Sequence, residues 1–326
     1  MNLLFLAISL YRKCQRITQQ SATQERNNYN NYNNHNNYKN PIMTFKSLEN
    51  ISIEKIGATL NDAFSQYFVK IDFTNLMLQE KFLEEDFNPK YSVGAFDGEE
   101  LVGVILHGFR IVNGEKWIYN MGTGVRFSHR GQQLTKKMYE YVIPNLKNEG
   151  IFNVKLEVIQ GNDSAIRTYK AVGFKAHCFY VCYKLSEESR GISHLLFIGK
   201  QSIGDIETVN PIEINKMLDM EPSWSNNMTA IQNNNAGLRN IGYLLNDKLI
   251  GYACLNANSG RIKLLVVHPD YREQGIGKQI LNYLKLNTDK PLSVINIDEK
   301  GENASRFLKN NGFIPTVKQF ELRMKL

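Results

Sequence analysis

Val266-Val267-His268-Pro269-Asp270-Tyr271-Arg272-Glu273-Gln274-Gly275-Ile276-Gly277-Lys278-Gln279-Ile280-Leu281 reads as a strand end, a tight loop and a helix start. The apolar run stops at Pro269, which has no N–H to give a ladder and cannot continue a central strand. After the glycines, Ile276, Ile280 and Leu281 fall at helical spacing. A helix start exposes unpaired N–H groups at the positive end of the helix dipole, so it suits an anion. Glycine removes the side chains that would hold a phosphate away from those amides. Arg272 and Lys278 are candidate charge-assisted donors, with Glu273, Gln274, Gly275, Ile276 and Gly277 forming the loop itself. The segment is not a dinucleotide fingerprint, because GIGKQI lacks the third glycine, and it is not a P-loop. Taken alone, it also fits a plain helix start with incidental glycines.

A worn copy, VRFSHRGQQLTKKMY, runs from Val125 to Tyr139. Arg130 and Arg272 are 142 positions apart, and Gly173-Phe174 and Gly312-Phe313 are 139 apart. Around both landmarks the same order recurs: hairpin, strand, loop, helix, strand, helix, strand. In the first half, alternating runs at Tyr91–Asp97 and Leu101–Val112 are joined by DGEE, with Trp117–Val125 as the next strand. In the second, IGYLLNDKLIGYACLN reads as a hairpin turning at Asn246-Asp247. The chain is therefore a duplication of α+β domains, expected at 43–187 and 193–326 with a polar linker at Ser186–Gly191. Residues 1–42 contain the low-complexity run NNYNNYNNHNNYKN and are expected to be disordered, with either Met43 as the functional start or 1–42 as a dispensable tail.

The combination is more specific than either loop. VHPDYREQGIGKQIL followed by NASRFLKNNGF, and VRFSHRGQQLTKKMY followed by GNDSAIRTYKAVGF, resemble the GNAT acetyltransferase superfamily, over roughly Met43 to Leu326. The tandem arrangement is also similar to bacterial two-domain members such as mycothiol synthase. The resemblance implies, in each half, a mixed central sheet with helices on both faces and an acyl-CoA cleft between two splayed strands. The CoA diphosphate would rest on the glycine loop and the pantetheine along the preceding strand. That implies CoA contacts at Leu265 and Val267 with the loop 272–278 in the second half. In the first half it implies Val125, Phe127, Arg130, Gly131, Gln132, Gln133, Leu134 and Thr135, with Asn162 capping the next helix.

The halves have decayed differently. The first loop has Gln133 and Thr135 where the second has Gly275 and Gly277, yet backbone amides survive such changes. The motif N-x-x-A-x-x-x-Y-x-x-x-G-F is met by Asn162, Ala165, Tyr169, Gly173 and Phe174. The second half has Leu308 in place of the tyrosine, and leucine cannot donate a proton. The resemblance implies that Tyr169 protonates the leaving thiolate and that the Val125 amide polarises the carbonyl. Glu157 is the candidate base; it also reads as a charge on a solvated strand face. The expectation is an N-acetyltransferase that uses acetyl-CoA and a small-molecule or peptide amine, with its chemistry in the first half. The alternatives are a CoA-binding module without turnover and catalysis in the second half. Acceptor-pocket residues are expected in Ile53–Glu84 and Ile212–Asn235, and MEPSWSNNM (Met220–Met228) is polar and aromatic enough to line a pocket, although it reads equally well as a surface loop.

Composition sets outer bounds. With 326 residues, 42% hydrophobic and 22% charged, the chain suits two soluble globular domains. The net charge of +7 accompanies no basic block with interleaved aromatics, so nucleic acid is not an expected partner. No apolar run is long enough to span a bilayer. The four cysteines form no disulfide framework, and Cys178 and Cys182 read as small core residues of one strand. A reducing, cytoplasmic setting follows, and no metal site is expected.

Overall fold

The computed structural model describes residues 43–65, 72–190, 201–234 and 237–326. The expectation for residues 1–42 lies outside the described residues, as does Gly191 of the expected linker. Packing divides the described residues into two compact units, one of those from Met43 to Gln79 with Asn88–Asn153 and Leu326, the other of Glu80–Phe87 with those from Val154 to Lys325.

In the first unit, strands β1 (Met43–Ser47), β2 (Val93–Asp97), β3 (Glu100–Val112) and β4 (Glu115–Val125) form an antiparallel sheet in that order. The turn between β3 and β4 places Asn113 at φ 52° and Gly114 at φ 80°, the two left-handed positions that a tight hairpin needs. Helices α1 (Ile53–Phe64) and α3 (Leu134–Asn148) both pack on β3, whose residues Leu101–Gly108 are buried without interruption. Helix α1 presents Ile56, Leu60 and Ala63 from one face, and Ser52 caps it by accepting from the Lys55 N–H at 3.4 Å. Helix α2 (Asn75–Glu84) follows α1, and its last residues group with the second unit.

The second unit contains β5 (Asn153–Ile159), α4 (Asp163–Val172), β6 (Lys175–Leu185), β7 (Gln201–Asp205), α5 (Pro211–Lys216), α6 (Met228–Asn233) and β8 (Leu238–Leu245). It continues with β9 (Lys248–Asn256), β10 (Arg261–Val267), α7 (Ile276–Leu286), β11 (Ser293–Asp298), α8 (Glu302–Asn310) and β12 (Phe313–Lys325). The strand order is β5-β12-β6-β11-β10-β9-β8-β7, with β10 and β11 parallel and the other registered pairs antiparallel. The division by packing differs from the sequential one at 43–187 and 193–326. Strand β6, read from sequence as the end of the first domain, lies between β11 and β12, because its backbone groups are paired to both.

Alternation along β9 explains the two-sided core. Ala253 and Leu255 join a cluster with Ile276, Ile280, Leu281 and Leu284 of α7. Tyr252 and Cys254 join the other, with Ile214 of α5 and Met228 and Ile231 of α6. Asn246 at φ 50° and Asp247 at φ 62° make the β8–β9 hairpin turn where the sequence places it. Cys178, Cys182 and Cys254 are free and buried. No helix among the described residues is long and apolar enough to cross a membrane.

Each unit keeps a β-bulge ahead of its loop. In β4, Gly122 pairs with Leu106 and Asn120 with His107, leaving Met121 as the extra residue. In β10, Ile262 pairs with Leu255 and Leu264 with Cys254, leaving Lys263. Met121 and Lys263 are 142 positions apart, the offset of the two loop arginines.

Candidate active site

Strand β10 meets β11 at one ladder position, Arg261↔Ser293, although both strands run on beyond it. The space between them is a cavity of about 660 Å³ bordered by Leu265, Val267, Gly275, Gly277, Asn296 and Phe307, among others. On its other edge β10 is paired to β9 up to Val267↔Gly251, and the His268 N–H donates to Ile250 at 2.8 Å. Amides alternate sides along a strand, so the N–H groups of Val267 and Leu265 face away from β9, toward the cavity. In β4 the Arg126 N–H donates to Val102 at 2.8 Å, which directs the Val125 N–H away from β3 in the same manner.

The loops share one backbone design with the glycine moved. Left-handed residues occur at Gly131 (φ 78°) and Gln133 (φ 58°) in the first unit, and at Glu273 (φ 61°) and Gly275 (φ 80°) in the second. Each loop thus has one glycine and one strained non-glycine among equivalent positions. Gly275 is the N-cap of α7, and a Cβ there would meet nothing within 4 Å. Gly277 has a different reason for being glycine, since its Cβ would lie 3.2 and 3.3 Å from the Phe307 ring. The open space over Gly275, next to the first amides of α7, fits a diphosphate. Ile276 is buried in the core, whereas Glu273, Gln274 and Lys278 are exposed. In the first unit Phe127, Gly131, Gln132 and Gln133 are exposed, Leu134 is buried and Thr135 is half-buried.

The motif arginines are held by their own chain. Arg272 donates to Val267 O at 3.1 Å and Met217 O at 3.0 Å, and is ion-paired to Asp219. Arg130 donates to Val125 O at 3.4 Å and to Ala63 O. Each guanidinium is turned back on its own chain, satisfying the carbonyl where the strand leaves its ladder and tying it to the first helical segment of its half.

Val125 and the loop 127–135 belong to the first unit, whereas Glu157, Asn162 and Tyr169 belong to the second. Asn162 caps α4 by accepting from the Ala165 N–H at 3.2 Å. Tyr169 is buried, with Phe174 edge-on to its ring at 5.7 Å. At the position corresponding to Asn162, Gly301 begins α8 without a side-chain cap, and its Cβ would fall 1.9 Å from Met220 Cε. Leu308 is a core residue. Glu157 accepts from Asn296 Nδ2 at 2.8 Å, so the candidate base of the first half is linked to the wall of the second-half cavity.

Residues Met220–Ser223 and Asn226 line the cavity, while Trp224 is buried and donates to Glu85 O at 3.1 Å. Sequence reading passed over Lys263, which also lines the cavity, is 3% exposed and lies 2.9 Å from Glu84 Oε2. Its signal was a lysine interrupting the apolar strand RIKLLVV. Burial lowers the Lys263 pKa, and Arg261 pushes the same way against the pull of Glu84. Burial would raise the Glu84 pKa, but Lys263 and Arg261 together hold it below the usual range.

The family described as Acetyltransferase (GNAT) family matches residues 57–174, and the Acetyltransferase (GNAT) domain matches residues 219–323. A GCN5-related N-acetyltransferase from Sphaerobacter thermophilus superposes with a TM-score of 0.64 at 10% identity, over 87% of this chain and 95% of that one. A tandem GNAT protein from the clavulanic acid biosynthesis pathway gives 0.65 at 13% identity, over 87% and 98%. At these identities the likeness is one of fold. No curated protein sequence matches the chain.

Proposed function

The chain belongs to the GNAT family of acetyltransferases in both halves, and we propose that it acetylates an amine in the second-half cleft, with acetyl-CoA as donor. The observation that carries this reading is the opening of β10 from β11 over a cavity that ends at the left-handed Gly275. Gly275 and the first amides of α7 would hold the diphosphate, and the Leu265 and Val267 amides would hold the pantetheine as an added strand. Acetyl-CoA, when bound, supplies an acyl carbon activated by a thiolate leaving group. The cavity-facing amides of β10 are fixed dipoles able to stabilise charge on the acyl oxygen, and one such donor is worth about 3–4 kcal/mol. Leu308 stands where the first half has Tyr169, so that helix supplies no phenol here; the proton given up by the attacking amine would reach the thiolate through solvent or through Tyr271, which lines the cavity. Domain sequences at 43–187 and 193–326 are part of the same proposal.

A second reading puts the chemistry in the first half. It is favoured by Tyr169 on a helix fixed by the Asn162 cap. In that reading the second half holds CoA without turnover. Steady-state kinetics of Gly275→Glu and Tyr169→Phe, with an amine identified by screening, separates the two. Loss with Gly275→Glu and retention with Tyr169→Phe supports the second half. The reverse pattern overturns it.

A further inference from the structure

The closed end of the second-half cleft carries an excess of buried hydrogen-bond donors. The pair Arg261↔Ser293 closes the cleft, and Lys263 lies two residues inside it. Among the described residues, Ser223 Oγ, Arg261 Nε and Ser293 Oγ are buried without a hydrogen-bond partner, and Lys263 Nζ is buried with them. Ser223 is 1% exposed and Lys263 3%, and both line the cavity. Glu84, at 2.9 Å, faces Lys263 Nζ as an ion pair, and one carboxylate oxygen does not engage all three of its N–H donors. Arg261 is committed on one side, where it donates to Ser225 Oγ at 3.0 Å and to Asn226 Oδ1. Buried donors that go unmatched cost about 1–3 kcal/mol each, and more when charged, so a cluster of them calls for an acceptor.

The ionic balance points the same way. Arg261 and Lys263 share Glu84 as the carboxylate that acts on both, which leaves one cation in surplus at this wall. An ammonium would be repelled here, and a neutral group would leave the surplus charge unanswered. The position also fits a terminal group. From Val267 at the loop end to Lys263 is four residues, about 13 Å at the usual strand rise. A donor anchored at Gly275 and lying along β10 therefore brings its reactive end toward Lys263 and Ser223.

We infer that the closed end of this cleft is a carboxylate subsite, held by Lys263 Nζ and Ser223 Oγ, for a carboxylate on the acceptor amine or at the far end of a dicarboxylic acyl chain. The inference rests on the second-half cleft as the acyl-CoA site. The two sources share the chemistry and differ in which partner carries the charge.

Calorimetry on the full chain tests it in two arms. One compares acetyl-CoA with succinyl-CoA. The other saturates the protein with CoA and compares each of the twenty L-α-amino acids with its C-terminal amide. The expected result is a preference of at least about tenfold for the carboxylate form in one arm, which identifies the source, reduced to below about threefold by Lys263→Met and by Ser223→Ala. The wild-type comparison needs no variant, and Ser223→Ala removes one oxygen should Lys263→Met fail to fold. Acetyl-CoA binding without carboxylate preference in either arm overturns the subsite while leaving the cleft reading intact. A preference that persists in both variants also overturns it. Acetyl-CoA binding that is unchanged by Gly275→Glu removes the cleft reading and this inference with it.

Discussion

Substitution of Gly275 by glutamate and by alanine separates what the loop glycine does for the fold from what it does for a ligand. Gly275 has φ 80° and ψ 0°, and nothing lies within 4 Å of a Cβ built there. Alanine therefore meets no clash and bears only the left-handed backbone cost, about 1–2 kcal/mol. That corresponds to roughly 2–4 °C of melting temperature per kcal/mol for a unit of this size. Gln133 occupies the equivalent place at φ 58°, so a side chain is compatible with the loop. Glutamate adds a negative charge at the helix start. At about 5 Å from a phosphate, with an effective dielectric of about 20–80, the repulsion is about 1–3 kcal/mol, or roughly 5- to 150-fold in affinity. Calorimetry with acetyl-CoA reads both variants. Alanine should keep the affinity within about threefold, and glutamate should weaken or abolish one class of sites. The same affinity and stoichiometry in Gly275→Glu as in Gly275→Ala would refute a diphosphate at this loop.

Three other outcomes are expected. Tyr169→Phe should leave kcat within about threefold, and a fall of tenfold or more would move the chemistry to the first half, as expected of a lost proton donor. Leu308→Ala should lower unfolding stability in urea by about 2–5 kcal/mol, because a core leucine is removed, and a loss under about 1 kcal/mol would contradict its place in the packing. His107 is buried, and that burial pushes its pKa down to about 4, against the raising effect of its contact with Tyr91 O. A folded pKa below the unfolded value means that the unfolded chain binds more protons. Stability should therefore be full above about pH 6.5 and fall toward pH 4, by about 2 kcal/mol at pH 5. His107→Gln should flatten that slope relative to the wild type, and an identical slope would rule the histidine out as its cause.

The duplication, the element order and both loops were legible in the sequence because they are local. Proline ends a ladder wherever it occurs, glycines free a helix start, and alternation marks a strand whatever it packs on. The hairpin at Asn246-Asp247 and the Asn162 cap needed only neighbours a few residues away. Tertiary structure decided what depends on distant partners. The motif reads Arg130 and Arg272 as phosphate ligands, and only the fold shows that they also satisfy the carbonyls of Val125, Ala63, Val267 and Met217. The chain order of β6 suggests that it closes the first half, and its backbone pairing puts it between β11 and β12. Lys263 shows the same limit. One lysine in an apolar strand has no stated role in one dimension, because its role lies in a bulge, a carboxylate brought from Glu84 and a cavity opened where two strands stop pairing. Pattern sets local geometry; burial and charge pairing exist only once the chain has folded.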